Sequence, residues 1–227
     1  MTQEIWSAVD HYITELFVPP DAAQNDALTA ALEASEKAGL PAISVSASQG
    51  KLLHLLAKSI QARNILEIGT LGGYSTIWLA RALGPGGRLM TLEADPKHAE
   101  VATANIARAG LADAVSVRLG RAAETLPKLK AEGRGPFDFI FIDADKPGYP
   151  DYFAWALKLS RRGTMMIADN VIRDGEVIEA ANSNPGVQGI RRFHELVAAE
   201  PRVSATSIQT VGNKGYDGFT MILVVTD

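Results

Sequence analysis

The chain has 227 residues, 21% of them charged, and a formal net charge of −4 at pH 7. A weakly acidic chain has no general attraction for phosphate backbones, so nucleic acid is not an expected partner. Cysteine is absent, which excludes disulfides and thiolate metal sites and leaves oxygen or imidazole ligands for any metal.

The N-terminus, MTQEIWSAVDHY, lacks the basic and apolar regions of a secretory signal. No apolar run approaches the roughly 20 residues that a membrane-spanning helix needs, so we expect a cytoplasmic protein without a membrane segment. The length and the even composition predict one domain over residues 1–227. Within it, we expect residues 1–40 to be a helical addition to an α/β core of residues 41–227.

Apolar residues at helical spacing predict a first helix over residues 2–17, ended by Pro19-Pro20, after which Asp21 can cap a second helix. Because both helices precede the first core strand, they can cover a site or pair two subunits. They can equally well pack on the core, since an apolar stripe is the usual mark of a packed helix. A third, leucine-rich helix is predicted to be buried over residues 49–62.

Residues 64–80, NILEIGTLGGYSTIWLA, predict a buried strand, a glycine turn and a helix. The glycines allow the backbone to approach a ligand closely, and the helix N-terminus offers unpaired N–H groups to an anion. Taken alone, such a turn is as often structural as ligand-binding. The pattern E-x-G-x-x-x-G lacks the second close glycine of the dinucleotide fingerprint, which argues against a pyrophosphate and therefore against an NAD-linked oxidoreductase.

Strands and helices alternate through the rest of the chain. Strands are predicted over residues 88–93, 115–119, 137–143 and 164–169, and helices over residues 96–109, 122–130, 152–159 and 189–199. Two closing strands, at residues 203–211 and 218–225, have only a short connection and predict an antiparallel hairpin. The alternation predicts a seven-stranded, mostly parallel sheet with helices on both faces.

Ligands of such sheets collect at the carboxyl ends of the strands. Four of the predicted strands carry a carboxylate there, namely Glu67, Glu93, Asp143 and Asp169. Glu93 lies roughly 20 residues after the glycine turn, where a carboxylate can accept both hydroxyls of a ribose, so we expect a ligand with a nucleoside. Glu67 suits a small, positively charged or zwitterionic tail on that ligand.

A second group of polar residues follows the fourth and fifth predicted strands. Asp143, Asp169 and Asn170 are hard oxygen donors that can converge on one Mg²⁺ and leave positions for water and substrate. Asp and Asn after strands also form ordinary turns and helix caps. Their combination with Asp145 and Lys146 on one loop favours a site, because clustered carboxylates repel one another unless a cation or a ligand neutralises them.

Together these motifs resemble the class I S-adenosylmethionine-dependent, divalent-metal-dependent O-methyltransferases of the caffeoyl-CoA and catechol type, particularly the small bacterial members. The likeness covers nearly the whole chain, through ILEIGTLGGYSTIWLA, LEADPKHAEVA, FDFIFIDADKPGYPDYF, MMIADNV and GYDGFTMILV. The resemblance implies a Rossmann-like methyltransferase fold, S-adenosylmethionine as methyl donor and a homodimer.

Carried over by position, the resemblance also implies roles for individual residues. Glu93 would hold the ribose of S-adenosylmethionine, and Ala122 would border its adenine. Lys146 and Asp143 would be catalytic, with Lys146 beside the reacting hydroxyl, and Mg²⁺ is the expected ion at Asp143, Asp169 and Asn170. The implied cofactor-binding residues are Val45, Glu67, Gly69, Thr70, Ser75, Glu93, Ala122, Asp143 and Asp145.

The expected reaction is methylation of one hydroxyl of a catechol-type small molecule. Lys146 would either take the hydroxyl proton or stabilise the oxyanion, and the sequence does not choose between these roles. Plant members carry an acidic pair where this chain has Ala47-Ser48-Gln49, and residues 173–185 are an unfamiliar insertion; both leave the acceptor open. The alternatives are a metal-independent methyltransferase with another acceptor and a cofactor-binding module without catalysis, although the retained Lys146 and oxygen ligands weigh against such a module.

Overall fold

The computed structural model describes residues 2–18 and 26–227. Its first helices are α1 (Gln3–Phe17), α2 (Asp26–Lys37) and α3 (Ala47–Ser59). The expected helix end at Pro19-Pro20 and the cap at Asp21 lie outside the described residues. Helix α3 begins earlier than predicted because Ser46 accepts a hydrogen bond from the Gln49 N–H at 3.2 Å.

Seven strands form one sheet in the order β3-β2-β1-β4-β5-β7-β6. They are β1 (Asn64–Ile68), β2 (Arg88–Glu93), β3 (Val115–Leu119), β4 (Phe139–Ile142), β5 (Met165–Asp169), β6 (Val203–Gly212) and β7 (Gly215–Val224). The first five strands are parallel, and β7 is antiparallel to both β5 and β6. The predicted mostly parallel sheet with a closing hairpin is therefore confirmed.

Five further helices cover the sheet: α4 (Tyr74–Ala80), α5 (Pro96–Arg108), α6 (Ala122–Ala131), α7 (Tyr149–Lys158) and α8 (Pro185–Ala199). The predicted starts of α7 and α8 are three and four residues too late, because both helices carry a proline in their first turn. Proline fits there, since the first N–H groups of a helix have no partner within it. None of the helices within residues 2–18 and 26–227 is long and apolar enough to cross a membrane.

Strand β4 lies at the centre of the core, and all four of its side chains are buried. Successive strand residues point to opposite faces. Accordingly, Phe139 and Phe141 pack into an apolar cluster with α3 and α4, and Ile140 and Ile142 pack into a second cluster with α7 and α8. Burial on both faces explains why this stretch is a continuous apolar run in the sequence.

Helix α3 is buried on one side only, which corrects the prediction of a buried helix. Leu53 and Ala57 are buried, whereas Leu55 is 52% exposed. Lys58, in the last turn of the helix, is also exposed. The run of leucines in this segment therefore overstates how much of the helix faces the core.

No residue of α1 is buried, although the helix itself was predicted. It is attached to the β6–β7 hairpin by polar contacts. Gln3 donates to the Gly212 carbonyl at 2.8 Å, and Asp10 accepts the Asn213 N–H at 2.7 Å. The outward side of the helix is an exposed apolar stripe made of Ile5, Val9, Tyr12 and Leu16.

Candidate active site

A cleft of about 790 Å³ opens at the carboxyl edge of the parallel strands, where ligands are expected. Predicted site residues that line it are Val45, Gly69, Thr70, Ser75, Glu93, Ala122, Asp143, Asp145, Lys146 and Asn170. Glu67 and Asp169 lie beneath this lining and are 0% and 4% exposed. A smaller cavity of about 450 Å³ contacts Arg88 and Arg134 at the opposite edge and includes none of these residues.

The glycine turn after β1 is fixed by its surroundings. Gly69 has φ +97°, and a Cβ atom there would collide with the backbone carbonyl oxygen of Asp143. A glycine is therefore required where the loops after β1 and β4 meet. The turn is anchored further by Asn105, whose side-chain amide donates to the Gly72 carbonyl at 2.9 Å.

Glu93 ties the glycine turn to the end of β2. One carboxylate oxygen accepts the N–H groups of Thr70 at 3.2 Å and Leu71 at 2.8 Å. The other accepts those of Ala94 and Asp95, both at 2.9 Å. Since a carboxylate offers about four acceptor positions, a ribose diol at Glu93 would share or replace hydrogen bonds that this side chain already makes.

Glu67 is a buried carboxyl under the floor of the cleft. It accepts hydrogen bonds from the hydroxyls of Ser75 at 2.6 Å and Thr76 at 2.5 Å. Burial raises the pKa of Glu67 to about 7, and the negative charge of Asp143 contributes to the rise. A cation bound above Ser75 would favour the ionised form of this carboxyl.

We expect Glu67 to make stability depend on pH. Its pKa lies near 4.5 when unfolded and near 7 when folded, so its stabilising contribution is present below pH 4.5 and is lost as the pH rises to 7. Such a shift corresponds to about 3 kcal/mol. In urea denaturation of the ligand-free protein, the free energy of unfolding of wild type should fall by about 3 kcal/mol relative to that of Glu67→Gln between pH 4.5 and pH 7. Exposed Glu100→Gln serves as the control, and parallel curves for wild type and Glu67→Gln would contradict the assignment.

Lys146, Asp143 and Tyr149 form a hydrogen-bonded group at one end of the cleft. The Lys146 ammonium lies 3.0 Å from Asp143 Oδ1 and 2.7 Å from the Tyr149 hydroxyl. Tyr149 is fully buried, and its hydroxyl lies 2.8 Å from the Asp169 carbonyl oxygen. The lysine side chain is only 12% exposed. Helix α8 sets the position of its loop, since a Cβ atom at Gly189 would collide with the Lys146 carbonyl oxygen.

Asp169 is the most enclosed of the expected metal ligands. Gln49 of α3 donates to one carboxylate oxygen at 2.6 Å, and the Asn170 N–H donates to the other at 2.8 Å. Burial raises the pKa of Asp169 above its usual range, and the nearby Asp143 raises it further. Asn170 has φ +55°, a conformation that asparagine adopts more readily than most residues and that occurs often at functional sites.

The expected metal ligands are two aspartates and one asparagine, so they are not a cluster of His, Asp and Glu alone. Within residues 2–18 and 26–227, no three such residues are grouped to hold an ion. Asp143 and Asp169 supply two mutually repelling carboxylates, and Asn170 adds an amide oxygen at the cleft surface. This donor set fits a hard divalent cation, which would relieve the repulsion between the two carboxylates.

Four further residues at the site were not among the predicted ones. Gln49 contacts Asp169, Tyr149 contacts Lys146, Tyr152 donates to Asp145 at 2.5 Å, and Arg173 lines the cleft near Asn170. The two tyrosines lie three and six residues after Lys146 at the start of α7, a spacing that places them near the lysine loop. No sequence signal links Gln49 to Asp169, since 120 residues separate them.

Comparison with known proteins gives consistent matches over the whole chain. A family model described as O-methyltransferase matches residues 21–224. The catechol O-methyltransferase of Niastella koreensis is 57% identical, covering 99% of this chain and 100% of that protein. An O-methyltransferase from Bacillus cereus, solved with S-adenosylhomocysteine (SAH), is 58% identical with a TM-score of 0.95, covering 98% of this chain and 100% of that one. TomG from Streptomyces achromogenes, involved in tomaymycin synthesis and solved with S-adenosylmethionine (SAM), is 54% identical with a TM-score of 0.94, covering 99% of both chains.

Proposed function

The chain belongs to the class I S-adenosylmethionine-dependent O-methyltransferase family, and we propose that it methylates one hydroxyl of a catechol-like small molecule. The observation that carries this proposal is the convergence of Lys146, Asp143, Asp169 and Asn170 at one end of the cleft. The 57% identity to the Niastella koreensis catechol O-methyltransferase supports the choice of acceptor. We also propose that residues 1–227 form a single O-methyltransferase domain.

In this reaction, a lone pair of the acceptor oxygen forms a bond to the methyl carbon of SAM. The carbon–sulfur bond breaks, its electron pair stays on sulfur, and neutral SAH is the product. The hydroxyl proton passes to Lys146 if its amine is neutral, and to solvent if Lys146 acts as the ammonium cation. Because the sulfonium methyl is already activated, the protein contributes mainly by aligning the two reactants and controlling that proton.

The side of the cleft made by β1 and β2 would hold the methyl donor. Glu93 would accept the ribose hydroxyls, and Ala122 would border the adenine. Glu67 and Ser75 would lie near the zwitterionic methionine end, with the Glu67 carboxyl ionising as the cationic donor arrives. The other proposed contacts with the donor are Val45, Gly69, Thr70, Asp143 and Asp145.

Asp143, Asp169 and Asn170 would hold a divalent cation, for which Mg²⁺ is our first choice. When bound, such an ion lowers the pKa of a hydroxyl placed against it and fixes its orientation. Gln49 keeps the Asp169 carboxylate in place through its 2.6 Å hydrogen bond. Two neighbouring hydroxyls on the acceptor would match the preference of such an ion for oxygen ligands.

Lys146 would face the reacting hydroxyl. Its amine contacts Asp143 and Tyr149, which leaves one tetrahedral position for the cleft. That position carries a proton in the ammonium form and a lone pair in the neutral form. The residue can therefore stabilise the oxyanion or accept the hydroxyl proton.

We further propose that the protein forms a homodimer through α1. The exposed apolar stripe of Ile5, Val9, Tyr12 and Leu16 lies beside the edge strand β6, whose Ile208 and Val211 are 46% and 50% exposed. An apolar patch of this kind is typical of an interface. Light scattering should give about twice the chain mass of 24.2 kDa.

Methyl transfer from labelled SAM tests the proposed function. A panel of vicinal diphenols and isolated phenols is assayed with Mg²⁺ and with a chelator. We expect transfer to the vicinal diphenols, little transfer to the isolated phenols, and loss of transfer in the chelator. The proposal fails if no vicinal diphenol is methylated, and activity that persists in the chelator would indicate metal-independent chemistry.

A further inference from the structure

We propose that Arg173 makes the acceptor site selective for diphenols that carry an anionic substituent, such as a ring carboxylate. This inference rests on the proposed function, because it concerns the same acceptor site. It adds the chemical class of the preferred substrate and the residue that recognises it. The observations that carry it are the position, the backbone conformation and the charge of Arg173.

Arg173 is brought to the cleft by the loop that follows β5. It lies three residues after Asn170, and both residues line the cleft. Three residues span at most about 10 Å, a length comparable to an aromatic ring with one carboxylate. Hydroxyls of the acceptor held near Asn170 and Lys146 would therefore leave a ring substituent within reach of the Arg173 guanidinium.

The backbone at Arg173 is held in an unusual conformation. Arg173 and Asp174 have φ values of +55° and +56°. Left-handed conformations are uncommon for residues other than glycine and persist only where surrounding contacts enforce them. Here the Asp217 carboxylate accepts the N–H groups of Ile172 at 2.9 Å and Arg173 at 3.1 Å. The contacts of Asp217 thus fix the direction in which the Arg173 side chain leaves the loop.

The Arg173 guanidinium is weakly paired within the protein. Its closest carboxylate is Asp217 Oδ2 at 4.0 Å, which is beyond hydrogen-bond distance. Across residues 2–18 and 26–227, its side chain donates no hydrogen bond, and Nε is buried without a partner. A guanidinium binds carboxylates in a planar, paired geometry, and the Arg173 side chain is 35% exposed, so an anionic ligand can pair with its accessible part.

The other cations of the cleft are less suited to this role. Lys146 is paired with Asp143 at 3.0 Å and faces the reacting hydroxyl. Arg121 precedes Ala122 at the start of α6, on the side proposed for the adenine. Arg173 is therefore the cation we assign to an acidic substituent. The aromatic ring of the acceptor can contact Ile43, which is 69% exposed and lines the cleft.

The test compares 3,4-dihydroxybenzoate with its methyl ester, which has the same diphenol ring without the charge. In wild type we expect a higher kcat/KM for the acid. Arg173→Met should lower kcat/KM for the acid by about ten- to a hundredfold, mainly through KM, and change the value for the ester by less than about threefold. Arg173→Lys should restore part of the preference for the acid. Arg192→Met, which removes an exposed arginine of α8, should leave both values unchanged.

Equal losses for acid and ester in Arg173→Met would show a structural role and overturn the inference, as would unchanged values for both. Failure of wild type to methylate either compound would instead count against the proposed function. If Arg173→Met does not fold, the salt dependence of KM in the wild-type enzyme tests the inference instead. Added salt should raise KM for the acid and not for the ester, and equal responses would overturn the inference.

Discussion

Replacing Asp169 by alanine is expected to reduce methyl transfer by roughly a thousandfold or more while SAH still binds with nearly unchanged affinity. The substitution removes one of the three proposed metal ligands and leaves the Gln49 amide without its acceptor. The donor side of the cleft keeps its side chains, because Asp169 is not among the proposed donor contacts, most of which lie in residues 64–123. Turnover is measured with labelled SAM and excess Mg²⁺, and calorimetry measures SAH and Mn²⁺ binding separately.

Asp151→Ala is the matched control for this substitution, since Asp151 is an exposed aspartate in the first turn of α7. It should retain wild-type turnover and Mn²⁺ affinity. If Asp169→Ala loses SAH binding together with turnover, Asp169 supports the fold and is not a metal ligand. If Mn²⁺ affinity stays the same while turnover falls, the proposed ligand set is wrong.

Lys146→Met should lower kcat by about a hundred- to ten-thousandfold with little change in the KM for SAM. Methionine keeps much of the length of the side chain but removes the amine that lies 3.0 Å from Asp143 and 2.7 Å from the Tyr149 hydroxyl. The acceptor oxygen then loses both the proton-accepting amine and the ammonium charge that the lysine would supply. Initial rates at saturating acceptor and donor, measured across the pH range, provide the check.

Lys146→Arg separates the two roles, because arginine keeps the positive charge and does not take up a further proton. Activity well above that of Lys146→Met would assign oxyanion stabilisation to the lysine, and activity as low as in Lys146→Met would assign proton transfer. Exposed Lys158→Met in α7 is the control and should behave as wild type. A Lys146→Met enzyme with wild-type kcat would exclude both roles.

The sequence predicted the parallel strands better than the helix boundaries. Strand β4 is buried on both faces, so its apolar run is visible without knowledge of its neighbours. The starts of α7 and α8 depend on Pro150 and Pro185 in their first turns, which the apolar periodicity does not report. Burial of α1 and α3 was also not predictable, because a leucine-rich or amphipathic helix has the same pattern whether its stripe faces the core or solvent.

The polar residues of the candidate site that lie at strand ends were predictable from the sequence. Glu93, Asp143 and Asn170 come directly at or after parallel strands, and topology alone brings such residues to one edge. The contacts that hold these residues were not predictable. Gln49 approaches Asp169 only through the packing of α3, and the direction of Arg173 depends on hydrogen bonds to Asp217 from a distant strand.

The strand order also separates the two halves of the cleft along the chain. The half beside β1, β2 and β3 is built mostly from one continuous segment, residues 64–123, whereas the half beside β4 and β5 combines loops from distant parts of the chain. Substitutions at Arg173 therefore alter the second half without changing residues 64–123. Related enzymes with this strand order can diverge in the molecules they modify while the segment that supplies most of the proposed donor contacts remains the same.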